Sequence, residues 1–147
     1  MKDVSKIYAV VDTNVIVSAL LSSNKHSNPN IIINAINMGV LIPIYNEEIE
    51  AEYKEVLSRP RFKLSEEQVS IFISVLRKFG IRTEPTKVVD EVFPDPDDVV
   101  FYEVKMSIDD SYLITGNLKH FPKKSFVVTP AEMVKILFEY NLITLPF

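Results

Sequence analysis

The fold is indicated near the start of the chain by the stretch Ile7-Tyr8-Ala9-Val10-Val11-Asp12-Thr13-Asn14, which is followed by the run Val15-Ile16-Val17-Ser18-Ala19-Leu20-Leu21. The apolar, β-branched first part is typical of a strand that is buried on both faces. It stops at residues of the types that cap helices, and the apolar run after them predicts a mostly buried helix. A buried strand that passes directly into a helix favours an α/β fold.

The same alternation continues along the rest of the chain. Further strands are predicted at 40–45, within 81–89, at 112–115 and at 126–128, and further helices at 31–38, 47–57, 66–79, 95–107 and 130–140. Residues 22–30 are predicted to form a loop, and Pro43 indicates an edge position for the second strand. Alternating strands and helices favour a mainly parallel sheet with helices on both sides. Since no repeat or long linker interrupts the pattern, we expect residues 1–147 to form one domain.

Composition limits the classes of function. The 147 residues contain no Cys, which excludes disulfides and thiolate metal sites and suits the cytoplasm. No apolar run approaches the length of about 20 residues that a membrane span needs, so no membrane partner is expected. The first residues, Met1 to Lys6, show no signal-peptide pattern.

The charge and the glycine content bear on nucleotide and nucleic-acid partners. The formal net charge of −4 counts against nucleic acid, because phosphate binding usually leaves a basic footprint. Acids that gather around bound cations would reverse the local sign, however. Only 3 glycines are present, which leaves no glycine-rich phosphate loop and argues against a Rossmann nucleotide-binding domain.

Polar residues follow three of the predicted strands, at the edge where open parallel sheets form their sites. These segments are Asp12-Thr13-Asn14, Asn46-Glu47-Glu48 and Thr115-Gly116-Asn117, and the acids of Asp95-Pro96-Asp97-Asp98 begin a helix. Several oxygen ligands brought together would suit Mg²⁺ or Mn²⁺. The two histidines, His26 and His120, are far apart in sequence and are expected to be lone surface residues.

Each segment also has a structural interpretation. Asp12 is equally suited to cap the first helix, and the acids at 95–98 suit a cap and first helical turn. The glutamates between 47 and 55 are mostly a solvated face, and residues 115–117 suit an ordinary turn. Glu50 and Glu52 both lie at edges of the apolar stripe of their helix, so periodicity does not choose between them.

Four segments, taken in order, resemble PIN domains, and most of all the VapC-like branch of toxins from toxin–antitoxin systems. They are Val10-Val11-Asp12-Thr13-Asn14-Val15-Ile16-Val17-Ser18-Ala19-Leu20-Leu21; Glu52-Tyr53-Lys54-Glu55-Val56-Leu57-Ser58-Arg59-Pro60-Arg61-Phe62; Asp95-Pro96-Asp97-Asp98 with Phe101-Tyr102-Glu103; and Tyr112-Leu113-Ile114-Thr115-Gly116-Asn117-Leu118-Lys119-His120-Phe121-Pro122. Each segment is modestly specific, whereas the ordered set, which extends from Ile7 to about Glu132, is quite specific.

The resemblance implies a three-layer α/β/α sandwich and an endoribonuclease that hydrolyses RNA phosphodiester bonds with Mg²⁺ or Mn²⁺. By position, Asp12, Glu52 and Asp98 match the family's first three acids, which act as metal ligands and catalytic residues. Asn117 stands where many members have a fourth acid. Its neutral amide makes it a weaker metal ligand and puts a second metal position in doubt. The remaining matches are the supporting polar residues Thr13, Asn14 and Thr115, and Glu103, whose role is either metal or water binding or structural.

The resemblance also implies an RNA substrate, an antitoxin partner and a homodimer, for which the apolar tail Leu142–Phe147 is a candidate surface unless it packs on its own domain. Basic residues near the second and fourth segments are candidates for holding RNA phosphates: Arg59, Arg61, Lys119, Lys123 and Lys124. A phosphatase of the haloacid-dehalogenase type is a poorer match, because that class needs an acid where this chain has Asn14. A binding module on a PIN fold with impaired chemistry remains the main alternative, since Asn117 is neutral.

Overall fold

A five-stranded parallel sheet forms the centre of the computed structural model, which describes residues 4–144. The strands are β1 (Ile7–Val11), β2 (Leu41–Tyr45), β3 (Ile81–Arg82), β4 (Ser111–Ile114) and β5 (Val127–Val128). They lie in the order β3-β2-β1-β4-β5, and every pair is parallel. The register pairs Ala9 of β1 with Pro43 on one side and with Tyr112 on the other.

Helices cover both faces of this sheet and complete the predicted three-layer α/β/α sandwich. Those within the described residues are α1 (Thr13–Leu21), α2 (Asn28–Asn37), α3 (Glu47–Leu57), α4 (Glu66–Phe79), α5 (Val99–Met106) and α6 (Pro130–Glu139). Short 3₁₀ turns occupy Pro60–Phe62, Pro96–Asp98 and Leu118–His120.

The strand order creates a crevice at one edge of the sheet. The chain moves from β1 outward through β2 to β3, and then crosses to the other side of β1 to form β4 and β5. Connections leave the carboxyl ends of β1 and β4 in opposite directions, and the gap between them is where open α/β sheets bind ligands. Residues that follow β1 and β4 therefore face one shared crevice.

Tyr53 anchors α3 beside the end of β1. Its side chain is 1% exposed, its hydroxyl donates a hydrogen bond to the Val11 carbonyl, and its ring packs edge-on against Phe72 at 5.6 Å between centroids. Burying an aromatic ring of this size contributes roughly 2–3 kcal/mol. Because Glu52 precedes Tyr53, this packing also sets the position of Glu52 relative to β1.

Two local predictions need correction. The helix α2 begins at Asn28 rather than Ile31, because the Ser27 side chain accepts a hydrogen bond from the Asn30 backbone N–H at 3.3 Å and Pro29 suits the first helical turn. The strand β2 is not an edge strand, since β3 pairs outside it. Pro43 is tolerated there because β3 is paired with β2 at Ile44 and Tyr45, beyond the proline.

The ends of the chain are described only in part. Half of the predicted dimer surface, Leu145–Phe147, lies outside the described residues. So do Met1–Asp3, which belong to the stretch predicted to carry no signal peptide. Within the described part, Ile143 is 9% exposed and belongs to the hydrophobic core, and Leu142 packs against that core. This portion of the tail therefore packs on its own subunit.

Candidate active site

Three acids lie at the carboxyl edge of the sheet, each placed by a different element. Asp12 directly follows β1, Glu52 lies on α3, and Asp98 ends the turn that leads into α5. Asp12 and Asp98 are only 5% and 8% exposed, whereas Glu52 is half-buried. Ionised carboxylates are rarely buried to this extent without a partner of opposite charge.

Asp12 stands at the N-cap position of α1, but its side chain makes no capping hydrogen bond. Its Oδ2 instead accepts a hydrogen bond of 2.7 Å from the hydroxyl of Thr115, at the end of β4. The Thr115 Oγ1 also accepts the backbone N–H of Asn117 at 3.0 Å. The side chain of Asp12 is therefore held across the crevice, and the purely capping interpretation is not supported.

The structure separates the two glutamates that periodicity could not. The Oε2 of Glu52 accepts a 2.6 Å hydrogen bond from the Thr13 hydroxyl, next to Asp12. Glu50 points to the other edge of α3, where Arg77 of α4 donates two hydrogen bonds of 2.8 and 3.0 Å to it. Glu52 thus belongs to the crevice, whereas Glu50 joins two helices.

Asp98 carries an unsatisfied oxygen. Its Oδ2 is buried and, within residues 4–144, has no hydrogen-bond partner. The Nδ1 of His120 lies 3.3 Å from this oxygen, which is an ion-pair distance without hydrogen-bond geometry. Leaving a buried polar atom without a partner costs about 1–3 kcal/mol, and more for a charged group. The position is therefore suited to a cation.

His120 contradicts the expectation of a lone surface histidine. Its side chain is 41% exposed, yet its ring contacts a buried acid of the crevice. Sequence reasoning missed it because zinc-ligand spacing was sought; its place just after Asn117, beyond a strand end, was the available signal. His26, by contrast, is exposed as expected.

The acids influence one another's protonation. Burial, and then the neighbouring Asp12 and Asp95, raise the pKa of Asp98 to about 6. Burial also raises the pKa of Asp12, against the lowering effect of the Thr115 hydrogen bond. The pKa of Glu52 is raised chiefly by burial and further by Asp12, Asp97 and Asp95, while its bond from Thr13 lowers it. Asp95 and Asp97, which belong to the same sequence segment as Asp98, therefore add to the negative charge around these acids.

The other predicted site residues have different surroundings. Asn14 Oδ1 accepts the Gly116 backbone N–H at 3.2 Å and so joins the ends of β1 and β4. The Asn117 side chain is half-buried beside Thr115 and forms no hydrogen bond within residues 4–144. Glu103 accepts the Val89 backbone N–H at 3.2 Å, a contact that ties the segment before the acidic turn to α5.

The carboxylates of the crevice fit a hydrated divalent metal ion better than a fully enclosed one. Within the described part of the chain, no three Asp, Glu or His side chains converge closely enough to enclose one ion. Mg²⁺, however, usually keeps several waters and is bound through one or two carboxylates together with substrate phosphates. The unsatisfied Asp98 oxygen and the neighbouring carboxylates fit such a hydrated ion, and they do not form a closed protein cage.

The basic residues predicted for RNA binding lie in unlike environments. Arg59 donates two hydrogen bonds, of 3.2 and 2.8 Å, to Glu55, and Arg61 lies over the Phe62 ring at 4.8 Å from its centroid. Lys119 is exposed on the turn that also contains His120.

Comparison with known proteins adds one positive finding. The sequence profile of a family described as "PIN domain" matches residues 8–119, a range that contains all three acids and Asn117. No curated protein matches the chain. Among the described residues, no helix has the length and apolar character that crossing a membrane requires.

Proposed function

The chain belongs to the PIN domain family, and from this premise we propose that it is a metal-dependent ribonuclease that hydrolyses RNA phosphodiester bonds. PIN domains are generally nucleases. The observation that carries the proposal is the buried Asp98 oxygen, which has no hydrogen-bond partner among residues 4–144 and lies in a crevice shared with Asp12 and Glu52. A cluster of acids that raise one another's pKa is costly by itself and is relieved by a bound cation.

In this proposal, Asp12, Glu52 and Asp98 hold Mg²⁺ or Mn²⁺, and Asn117 offers a neutral amide oxygen. When bound, the ion lowers the pKa of a bound water and neutralises charge on the scissile phosphate. The chain's own contribution is orientation. Thr115 fixes the Asp12 carboxylate and Thr13 fixes that of Glu52, so that the oxygens are ordered before substrate arrives.

The test is cleavage of a mixed single-stranded RNA pool with Mg²⁺, with Mn²⁺ and with EDTA. We expect metal-dependent cutting by the wild type and a loss of about 100-fold or more in Asp12→Asn, because that change removes a charge without altering volume. Glu50→Gln, the same kind of change on α3 outside the crevice, serves as the matched control and should cut normally. Equal cutting by Asp12→Asn and wild type would refute the assignment.

A second candidate is favoured by Asn117: an RNA- or protein-binding module on the same fold with impaired chemistry. Many PIN domains carry an acid at the matching position, and a neutral side chain there weakens metal binding. RNA binding by a folded wild type that cuts nothing under any metal would favour this candidate over the nuclease.

We also propose that the chain is the toxin of a toxin–antitoxin pair, acting in the cytoplasm with an antitoxin and as a homodimer. The support is the likeness of its four segments to the VapC-like branch. Induced expression in bacteria should then arrest growth with the wild type and not with Asp12→Asn. Undiminished growth with well-expressed, RNA-cutting wild type would contradict the toxin role and leave the nuclease intact.

A further inference from the structure

A cleft of about 480 Å³ is formed largely by the segment that follows Asn117. Its wall includes Leu118, Lys119 and Phe121, which immediately flank His120 in the chain. Since the His120 ring contacts Asp98, the segment that lines this cleft also reaches the candidate active site.

The chemistry of the cleft differs from that of the crevice. Its apolar wall is formed by Leu118, Phe121, Pro122 and Val127, and three lysines line it as well: Lys119, Lys123 and Lys124. All three lysines are exposed, and none forms an ion pair within 4.0 Å among residues 4–144. Glu132 also lines the cleft, but its carboxylate accepts the Thr129 backbone N–H in a capping box.

The opposite flank is less suited to phosphate. The guanidinium of Arg59 is already bonded twice to Glu55, so binding a phosphate would require breaking that pair. Lys123 and Lys124 have no such pair to break in the part of the chain that the structure describes. In a chain whose net charge is −4, three lysines within the short segment 119–124 mark a local reversal of sign.

We propose that this lysine cleft is a subsite for single-stranded RNA, with the lysines on the backbone phosphates and one unstacked base against the apolar wall. The inference rests on the proposed function and assigns the path of its substrate. Single strands are required because a base in a duplex is stacked on both faces and cannot reach a concave apolar wall. The lysine flank, rather than the arginine flank, then carries most of the binding energy from phosphates.

The experiment measures binding of a short fluorescein-labelled single-stranded RNA of mixed sequence to Asp12→Asn protein, which prevents cutting. Three double variants are made in that background. The cleft pair is Lys123→Gln with Lys124→Gln, the arginine pair is Arg59→Gln with Arg61→Gln, and the control pair is Lys25→Gln with Lys87→Gln. We expect the lysine pair to weaken binding about tenfold and to flatten the salt dependence by about 0.7 per lysine. The control pair should bind as the parent does, and a duplex of the same sequence should bind more weakly.

Three results would overturn the proposal: unchanged binding in the cleft lysine pair, a larger loss in the arginine pair, or equal binding of duplex and single strand. Melting temperatures of the double variants, whose substituted lysines and arginines are exposed, are compared with that of the Asp12→Asn parent to check that the fold is kept. Wild-type cleavage assays keep the two proposals apart. If RNA cleavage is unaffected by substitution of the cleft lysines, the subsite proposal is refuted and the nuclease proposal stands. If RNA binding depends on these lysines but no cleavage occurs, the nuclease proposal is refuted and the subsite proposal stands.

Discussion

Among single residues of the crevice, threonine hydroxyls hold the carboxylates in place, whereas burial and mutual repulsion of the carboxylates raise their pKa values. Thr115 and Thr13 each donate to one acid, while the Oδ2 of Asp98 is left without a hydrogen bond in the described part of the chain. Hydrogen bonds to an ionised carboxylate favour its charged form, and burial disfavours it. The residues around Asp98 thus determine how the metal-free site responds to pH.

The raised pKa of Asp98 predicts a pH-dependent cost of folding. The pKa of this acid rises from 3.8 to about 6 on folding, so the folded state holds the proton more tightly than the unfolded state. The resulting stability is fully present below pH 3.8 and is lost as the pH rises through about 6. In EDTA, Asp98→Asn should therefore be more stable than wild type at pH 7 by about 1–3 kcal/mol. Chemical denaturation at several pH values measures this difference. A wild type as stable as the variant at pH 7 would contradict the prediction.

His120 is predicted to be a positioning residue for Asp98. Asn places an amide nitrogen near the position of Nδ1, whereas Gln places it near Nε2. Mn²⁺ affinity, measured by calorimetry without RNA, should fall about tenfold or more in His120→Gln and stay near wild type in His120→Asn, since partners of ligands typically matter to this extent. Equal affinities in both variants would show that the Nδ1 contact does not orient Asp98.

At the scale of elements, α3 presents two acidic edges with different roles. Tyr53 fixes the rotation of the helix by packing against Phe72 and bonding to the Val11 carbonyl. That rotation turns Glu52 toward the crevice and Glu50 toward α4. The N-cap bond from the Ile49 backbone N–H to Asn46 Oδ1, at 2.9 Å, starts the helix at the right residue for this arrangement.

The contact between Glu50 and Arg77 predicts a second, separate pH window. The hydrogen bonds from Arg77, together with the nearby Lys54, lower the pKa of Glu50 to about 2. An acid with a lowered pKa contributes stability that is present above 4.5 and is lost as pH falls toward 2. Glu50→Gln should cost about 1 kcal/mol at pH 7, discounted because the Arg77 side chain is 58% exposed. Denaturation at pH 7 and at pH 2.5 checks this, and an equal deficit at both values would contradict it.

At the scale of the whole molecule, the strand order brings distant segments to one edge. Asp12 and Thr115 are separated by 103 positions in sequence and become hydrogen-bonded because β1 and β4 are neighbours. A cation bound there would connect β1, α3 and the acidic turn. Binding of an ion at this place would therefore stabilise the entire fold rather than one element.

Mn²⁺ is accordingly predicted to raise the melting temperature of the wild type. A ligand present at 100 times its dissociation constant adds about 2.7 kcal/mol to the free energy of unfolding if it binds only the folded state. Asp12→Asn and Asp98→Asn should show little of this shift, whereas Glu50→Gln should show all of it. A shift of the same size in all four proteins would indicate nonspecific ion binding and contradict the assigned crevice.

Most helices and strands of this protein follow from local signals in the sequence. Apolar periodicity and the capping residues Asn46 and Ser65 are local signals, so the helices 47–57 and 66–79 are predicted at their observed bounds. The start of α2 is mispredicted because Ser27, which caps the helix, and Pro29, in its first turn, lie in a stretch predicted to be a loop. The resemblance added the family, which the profile match confirms, and three acids that the structure brings to one edge.

Which side chains meet at the crevice depends on how the elements pack in three dimensions. The choice between Glu50 and Glu52 depends on how α3 is rotated against β1, and the contact of His120 with Asp98 depends on the strand order and on the turn after β4. Neither contact is a local property, because each joins segments that are far apart in the sequence. Their distance in space cannot be read from their distance along the chain. The unsatisfied oxygen of Asp98 arises for the same reason, since burial and lack of a partner exist only once the layers have packed.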